Sequence, residues 1–266
     1  MTVWYDVQGE GPAVALVHAG VADSRMWEPQ LPAFTTSHKV VRVDLPGFGR
    51  SPIETDPISL RGSILEALDG AGVDRAAIVG TSLGGATALE LALDSPDRVS
   101  ALVLVGPGLD GHEWSAEVEA FGQEEEEALA RDDLEAAVEA NMRMWLAGPR
   151  RSVEDIDPAL RELFADMQRR AFQLGQGHDD VRTVRLDPPA SQRLGEVRAP
   201  TLVITGDEDV GDIHRIADRL AAEIPGAKRA TIAGAAHLPN LEKPEEFDRV
   251  VLDFLASQGT QKPLSG

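Results

Sequence analysis

Apolar residues in this chain fall into short continuous runs separated by stretches with helical spacing, and that alternation predicts the fold. Ala13–Val17, Val40–Val43, Ala76–Val79, Ala101–Val105 and Thr201–Thr205 have the length and aliphatic content of strands buried on both faces. Thr2–Asp6 and Arg229–Ile232 read as further strands, with a turn at Gly9-Glu10-Gly11-Pro12 after the first. Between the runs, Leu60–Leu68 reads as a helix closed by Gly70. Leu83–Leu93 reads as a helix that is apolar nearly all round and therefore deeply packed. Ile213, Ile216, Ala217, Leu220 and Ala221 share one helical face, and Phe247, Val250, Val251, Phe254 and Leu255 share another. Strands alternating with helices predict an α/β fold with a mostly parallel sheet sandwiched by helices.

The alternation breaks once, after the fourth buried strand. From Asp110 to Pro189 the chain shows amphipathic helical stretches with Gly and Pro interruptions and no buried strand. This predicts a helical lid, or cap, over residues 110–189, inserted into a core domain formed by 1–109 and 190–258, with a flexible tail at 259–266.

Three polar positions at the expected strand ends carry the candidate chemistry. Gly80-Thr81-Ser82-Leu83-Gly84-Gly85 is a G-x-S-x-G sequence between a predicted strand and a predicted helix. Small residues two before and two after the serine allow a turn tight enough to lift Ser82 above the sheet edge, beside the positive end of a helix. Taken alone, the motif fits a serine that merely caps a helix equally well. A dinucleotide-binding loop is excluded, because the G-x-G start is missing and the segment follows the third buried strand. A serine hydroxyl needs a base, and His237 lies in the small-residue loop Gly234-Ala235-Ala236-His237 after the last strand. The intervening strand ends in Gly206-Asp207-Glu208-Asp209, from which Asp209 is taken as the acid that turns back toward the histidine. Asp212 reads as a helix N-cap and Asp110 as a weaker substitute acid. Two backbone N–H groups are expected to form an oxyanion hole, from Leu83 and, at the end of the first buried strand, Gly20. His18 beside that loop is read as a structural residue whose ring bonds backbone.

Charge and composition narrow the partners. The formal net charge is −20, which disfavours nucleic acid and anionic membrane surfaces and suits a small neutral molecule. The glutamate run Glu124–Glu127 reads as a solvated helix face. Without cysteine there is no thiol chemistry or disulfide framework. His112-Glu113 lacks a second histidine, so neither a metal site nor a cofactor is called for. No signal-like or membrane-spanning run is found, and a cytoplasmic protein is expected. The oligomeric state is not legible.

With these residues set out, the chain resembles the α/β-hydrolase superfamily over nearly its whole length. The resemblance rests on the elbow, on Leu16-Val17-His18-Ala19-Gly20 with Trp27, and on Asp44-Leu45-Pro46-Gly47-Phe48-Gly49-Arg50-Ser51. Pro200–Asp209 and Gly234–His237 with Pro244 complete it. It implies a triad of Ser82, Asp209 and His237 and, within the superfamily, the esterase and enol-lactonase branch acting on a small, partly hydrophobic ester or lactone. Serine at the nucleophile position argues against the dehalogenase and epoxide hydrolase branches, which use aspartate. The loop after His18 lacks the Gly-Pro-Gly pattern typical of carbon–carbon bond hydrolases. Ala19 replaces a usual glycine, Gly211 stands where proline is common, and the first of the usual eight strands is expected to be absent. Val21, Met142, Trp145 and Leu238 are expected to line the substrate pocket. Two other uses of this fold stay open at this point: a non-hydrolytic reaction of the perhydrolase or hydroxynitrile lyase kind, and a non-enzymatic small-ligand receptor.

Overall fold

The computed structural model describes residues 3–178 and 180–259. Its strands are β1 (Tyr5–Gln8), β2 (Ala13–Val17), β3 (Lys39–Val43), β4 (Ala76–Thr81), β5 (Val99–Val105), β6 (Thr201–Gly206) and β7 (Lys228–Ile232). Its α-helices are α1 (Leu31–Phe34), α2 (Leu60–Gly70), α3 (Leu83–Asp94), α4 (Ala116–Ala130), α5 (Leu134–Asn141), α6 (Pro158–Gly175), α7 (Gly211–Glu223), α8 (Pro239–Glu242) and α9 (Pro244–Gly259).

The strands form one sheet in the order β1-β3-β2-β4-β5-β6-β7. From β3 to β7 every pairing is parallel, whereas β1 runs antiparallel to β3 with Tyr5 opposite Val43. The order turns at β2, which has β3 on one side and β4 on the other. Ligand crevices in open α/β sheets form at such a switch, outside the carboxyl ends of the strands. Ser82 follows β4 and Gly20 follows β2, so the topology alone brings these two loops together.

The sheet is covered on both faces because its side chains alternate between two cores. Ala15 and Val17 of β2 join a layer with Ile64 and Leu68 of α2, Leu89 of α3 and Ile216 of α7. Val14 and Leu16 join the opposite layer with Trp27, Phe34 of α1, and Phe247 and Val251 of α9. β4 and β6 are buried at every position, which is why they read as unbroken apolar runs.

Two local readings are corrected. The first strand lies at Tyr5–Gln8 rather than Thr2–Asp6, and Met1 and Thr2 lie outside the described residues. As an edge strand it tolerates polar residues, and Asp6 pairs with Arg42 of β3 at 2.6 Å. Helix α2 ends at Gly70 as read, but Gly70 is not the residue that reverses the chain. Ser59 caps its start by accepting from Gly62 N (3.1 Å), and Gly70 sits in its last turn, where a Cβ would collide with the Tyr5 hydroxyl. The chain reverses at Gly72, whose φ of +64° is the left-handed geometry glycine accepts readily.

Between β5 and β6 the chain builds the cap-like helical layer: α4, α5, a π-helical turn over Met142–Ala147, and α6. It returns toward the core at Thr183, which bridges Ile58. Among the described residues no helix is long and apolar enough to cross a membrane. The tail beyond residue 259 lies outside the described residues.

Under α8 lies a buried polar knot. Gln30 Nε2 donates to the Asn240 carbonyl and Asn240 Nδ2 to the Met26 carbonyl, each at 2.9 Å. Asp248 of α9 is buried beside them with Oδ1 unpartnered. Burial pushes its carboxyl up to about 6, against the opposing pull of a hydrogen bond from Gln30. A carboxyl raised on folding contributes stability that is full below its unfolded value of 3.8 and is lost as pH rises through about 6. Asp248→Asn is therefore expected to raise the melting temperature, and to raise it more at pH 8 than at pH 5. Equal shifts at both pH values in thermal unfolding would contradict this account.

Candidate active site

The site is built on the turn between β4 and α3. Ser82 has φ 53° and ψ −112°, one of two non-glycine positive φ values among the described residues. A strained backbone of this kind persists only where its surroundings enforce it. Here they do so by crowding. A Cβ at Gly80 would overlap the Gly84 carbonyl oxygen, and one at Gly84 would overlap the carbonyl oxygens of Val17 and His18. A Cβ at Gly85 would come within 2.9 Å of both Gly80 O and Pro107. Ser82 N donates to Val105 O at 2.8 Å, fixing the turn to β5. The Ser82 side chain does not cap α3. It is half-buried, and its hydroxyl is free of hydrogen bonds to the described residues, His237 included.

His237 follows β7 in a loop that packs tightly on the end of β6, where a Cβ at Gly206 would overlap the Ala235 and Ala236 carbonyls. Its ring is buried, with Nδ1 2.8 Å from Asp209 Oδ2. Asp209 is buried as well, and its Oδ1 accepts from Val210 N at 2.8 Å. An ionised carboxylate can only accept, so it selects the tautomer with the proton on Nδ1 and leaves Nε2 as a base. Gly106, at φ +46°, backs the pair closely. A Cβ there would stand 3.1 Å from His237 Nδ1 and 3.3 Å from Asp209 Oδ2.

Neither of the two other acids bonds His237 among the described residues, although Asp110 lines a cavity with Ser82. Asp110 is exposed. Asp212 is buried but is not the N-cap expected from the sequence, since α7 is capped by Val210 and has Asp212 within its first turn. From there its carboxylate holds the start of the cap. It accepts from Ser115 N (3.1 Å), Ser115 Oγ (2.6 Å) and Arg215 (2.6 Å), and its Oδ1 lies 2.9 Å from His112 Nε2. Burial raises its carboxyl, but the bonds from Ser115, His112 and Arg215 outweigh burial and hold it at about 2.

The loop after β2 supplies the facing wall. A Cβ built on Gly20 would touch the Leu83 side chain at 3.5 Å, so the two residues expected to form the oxyanion hole are neighbours. His18 behaves as the structural residue it was read to be. Its Nδ1 bonds the Ala19 carbonyl at 2.8 Å, and its Nε2 accepts from Leu45 N at 2.9 Å. Burial lowers its pKa, with Asp44 and the Ala19 carbonyl pulling the other way, and keeps the ring neutral. Asp44 joins the same two loops by accepting from Ser24 N (2.7 Å) and Arg50 N (3.0 Å).

Ser82 and His237 open together onto a cavity of about 420 Å³ roofed by α4, the π-turn and α6. Val21 and Trp145 line it as expected, together with Phe48 and Phe172. The Trp145 ring lies 4.5 Å from the His237 ring, and its carbonyl accepts from His237 N at 3.3 Å. A second cavity of about 380 Å³ shares Ser82 and Trp145 and extends toward His112 and Arg185. Two pocket expectations are corrected. Met142, three residues before Trp145, lines a separate groove of about 660 Å³ that touches neither Ser82 nor His237. Leu238 is wholly buried among core residues, because the chain turns at once into α8.

Residues 12–244 match the alpha/beta hydrolase fold family. The chain belongs to that family. Over 264 residues it is 28% identical to the 2-hydroxy-6-oxo-6-phenylhexa-2,4-dienoate hydrolase of Comamonas testosteroni, covering 95% of this chain and 91% of that one. A solved hydrolase from Pseudomonas aeruginosa superposes with a TM-score of 0.76 and 29% identity, covering 94% of this chain and 93% of its own. A solved N-acyl homoserine lactone degrading enzyme superposes with a TM-score of 0.73 and 25% identity, covering 95% and 96%. The chain is thus an α/β-hydrolase-fold enzyme with esterase- and lactonase-type relatives.

The Asp212 cluster generates a prediction for the cap. A carboxyl depressed on folding contributes stability that is present above about 3.8 and lost as pH falls through about 2. At pH 7, Asp212→Asn is expected to lower the melting temperature and to speed amide exchange over residues 112–118. Unchanged exchange in that segment would show that Asp212 does not anchor the cap.

Proposed function

We propose that the protein hydrolyses a small, neutral, partly hydrophobic carboxylic ester or lactone through an acyl-enzyme on Ser82. The observation that carries this reading is the buried His237–Asp209 pair, 2.8 Å apart, opening with Ser82 onto one cavity from a positive-φ elbow. A neutral substrate suits a cavity with no lysine or arginine in its lining. The relatives' names, dienoate hydrolase and homoserine lactone degrading enzyme, agree with hydrolysis at a carbonyl carbon.

In this mechanism His237 Nε2 takes the Ser82 proton as Oγ attacks the carbonyl, and Asp209 stabilises the imidazolium that forms. The N–H groups of Gly20 and Leu83 receive the tetrahedral oxyanion at the positive end of α3. The imidazolium then protonates the departing alcohol, or the ring alkoxide of a lactone. Water deprotonated by His237 releases the acid and restores Ser82. The two cavities meeting at Ser82 give the acyl and alcohol parts separate directions, with Trp145 between them. No step requires a metal or cofactor.

A p-nitrophenyl ester panel measures turnover, and an organophosphate with a p-nitrophenolate leaving group labels the nucleophile. Ser82→Ala is expected to lose on the order of 10⁶ in kcat and to gain no phosphoryl mass. Wild-type protein should gain one phosphoryl group, located at Ser82 by peptide mass. Retained turnover above a few per cent in Ser82→Ala, or labelling elsewhere, would remove Ser82 from the mechanism. Tight binding with no turnover would identify a receptor instead.

Asp209→Asn is expected to keep the fold and to lower kcat by about 10⁴, because an amide can donate to Nδ1 and so favour the wrong tautomer. A loss below tenfold, with the variant's circular dichroism unchanged, would show that another group orients His237.

A further inference from the structure

The roof of the cavity over Ser82 is not uniformly apolar. Three cap elements each place one polar side chain beside an apolar one in its lining: Glu125 with Phe121 on α4, Asn141 at the end of α5 with Trp145, and Gln168 with Phe172 on α6. Glu125 belongs to the glutamate run that reads as a solvated face, yet it alone turns inward. Glu124, Glu126 and Glu127 are exposed, and Glu124 and Glu127 pair with Arg143 and Arg131 on the outside. Among the described residues Glu125 has no cationic partner, and the one hydrogen bond it accepts comes from Asn141 Nδ2, which is itself buried and held by the Ala137 carbonyl at 2.9 Å. Burial pushes the Glu125 carboxyl upward, the Asn141 bond pulls it down, and Glu126 adds to the rise. Gln168 is 3% exposed, and its Oε1 is buried with no hydrogen-bond partner among the described residues.

A buried acceptor left unpaired costs about 1–3 kcal/mol. An inward carboxylate with one neutral donor is similarly under-satisfied, since two oxygens accept several bonds. Structural polar groups in a protein interior find partners within the fold. Here the Glu125 carboxylate borders the space a substrate would fill with capacity to spare, and Gln168, whose Oε1 is enclosed without a partner among the described residues, lies in the same roof.

We infer that Glu125, Asn141 and Gln168 form a polar recognition site for the end of the substrate remote from the scissile carbonyl, and that this site takes a hydrogen-bond donor. This inference rests on the hydrolase reading above and adds the substrate class. The class is an ester or lactone carrying a hydroxyl or an amide N–H or, widening the neutral class proposed above, an ammonium group, set apart from the reacting carbon by an apolar stretch against Phe121, Trp145 and Phe172. A carboxylate at that end is rejected, because it would face Glu125 with no cation in the lining to offset the repulsion. The named substrate of the dienoate-hydrolysing relative bears a carboxylate, and such an end would be disfavoured here.

The test uses p-nitrophenyl esters of equal acyl length ending in methyl, hydroxyl, ammonium or carboxylate, with the wild-type protein, Glu125→Gln, Gln168→Met and the exposed control Glu126→Gln. In the wild type, kcat/KM for the hydroxyl or the ammonium ester is expected to exceed that for the carboxylate ester by at least about tenfold, the size of one charged hydrogen bond. Glu125→Gln should reduce that ratio severalfold, chiefly through KM. Glu126→Gln removes the same charge one residue away and should leave the ratio as it is. Gln168→Met should lower the hydroxyl ester relative to the methyl ester. Which donor ester leads shows whether a neutral donor or a cation is preferred. A wild-type ranking with the methyl ester first, or equal shifts in Glu125→Gln and Glu126→Gln, overturns the inference while leaving Ser82-dependent hydrolysis intact. If no ester is hydrolysed, the mechanism has failed instead. The roof is then read by tryptophan fluorescence titration with hexanamides ending in the same four groups. Donor-terminated amides should bind wild type at least about tenfold tighter than the carboxylate, and equal affinities overturn it.

Discussion

The constraint on which the rest of the structure depends is the left-handed backbone at Ser82. A side-chain-bearing residue at φ 53° is held there only because strand, turn and helix are pressed together. That compression requires hydrogen in place of a side chain at Gly80, Gly84 and Gly85, and it also sets the geometry beyond the turn. The contact of Gly84 with the Val17 and His18 carbonyls draws α3 against the end of β2. The loop carrying Gly20 is thereby fixed over Leu83. One crowded turn thus presents a hydroxyl at the positive end of a helix and brings the Gly20 loop against Leu83. Helix α3 is almost entirely buried for the same reason, having sheet on one side and returning chain on the other.

The chemistry and the cap are joined at Trp145. Its ring lies against the His237 ring and its carbonyl accepts the His237 N–H. The π-helical turn that contains it widens the backbone locally, and such turns recur at functional sites. Asp212 forms the other junction, reaching from α7 to the residues that open the cap. A layer fastened at both junctions can roof the cavity while Ser82, His237 and Asp209 stay in the core. On the proposed function, substrate choice and bond cleavage would then fall to different parts of the chain.

Features governed by local pattern were legible in the sequence. Buried strands announce themselves as apolar runs, the elbow by its glycines, and the insertion by the loss of alternation. Two extra residues beyond β6 allow the Asp209 carboxylate to turn back, and it meets the His237 ring. What was not legible depends on which side of a helix meets which neighbour. Met142 and Trp145 are three residues apart and both large, yet the π-turn directs only Trp145 to the cavity. Leu238 adjoins His237 in sequence, but the immediate start of α8 turns it into the core. Asp212 has the composition of a cap, and only the packing of residues 112–115 over α7 shows that it binds across the structure instead. Gly70 resembles a helix stop, whereas its missing side chain makes room for Tyr5.

The glutamate run shows most plainly why composition cannot locate a polar site. Four consecutive identical residues on a helix point in four directions about 100° apart, so one of them can face inward while its neighbours are solvated. A helix selected only for stability would carry an apolar residue at 125 and at 168, since both positions adjoin aromatic rings beneath the cap. Placing a carboxylate and an unpartnered amide there opposes folding by amounts comparable to a substantial part of a protein's net stability. Departures from local consistency of this kind concentrate where a protein binds or reacts. In this chain the two clearest ones near the cavity, the strained serine below and the under-satisfied acceptors above, face the same space. On the proposed function, the floor of that space receives a carbonyl carbon and its roof a donor some distance away.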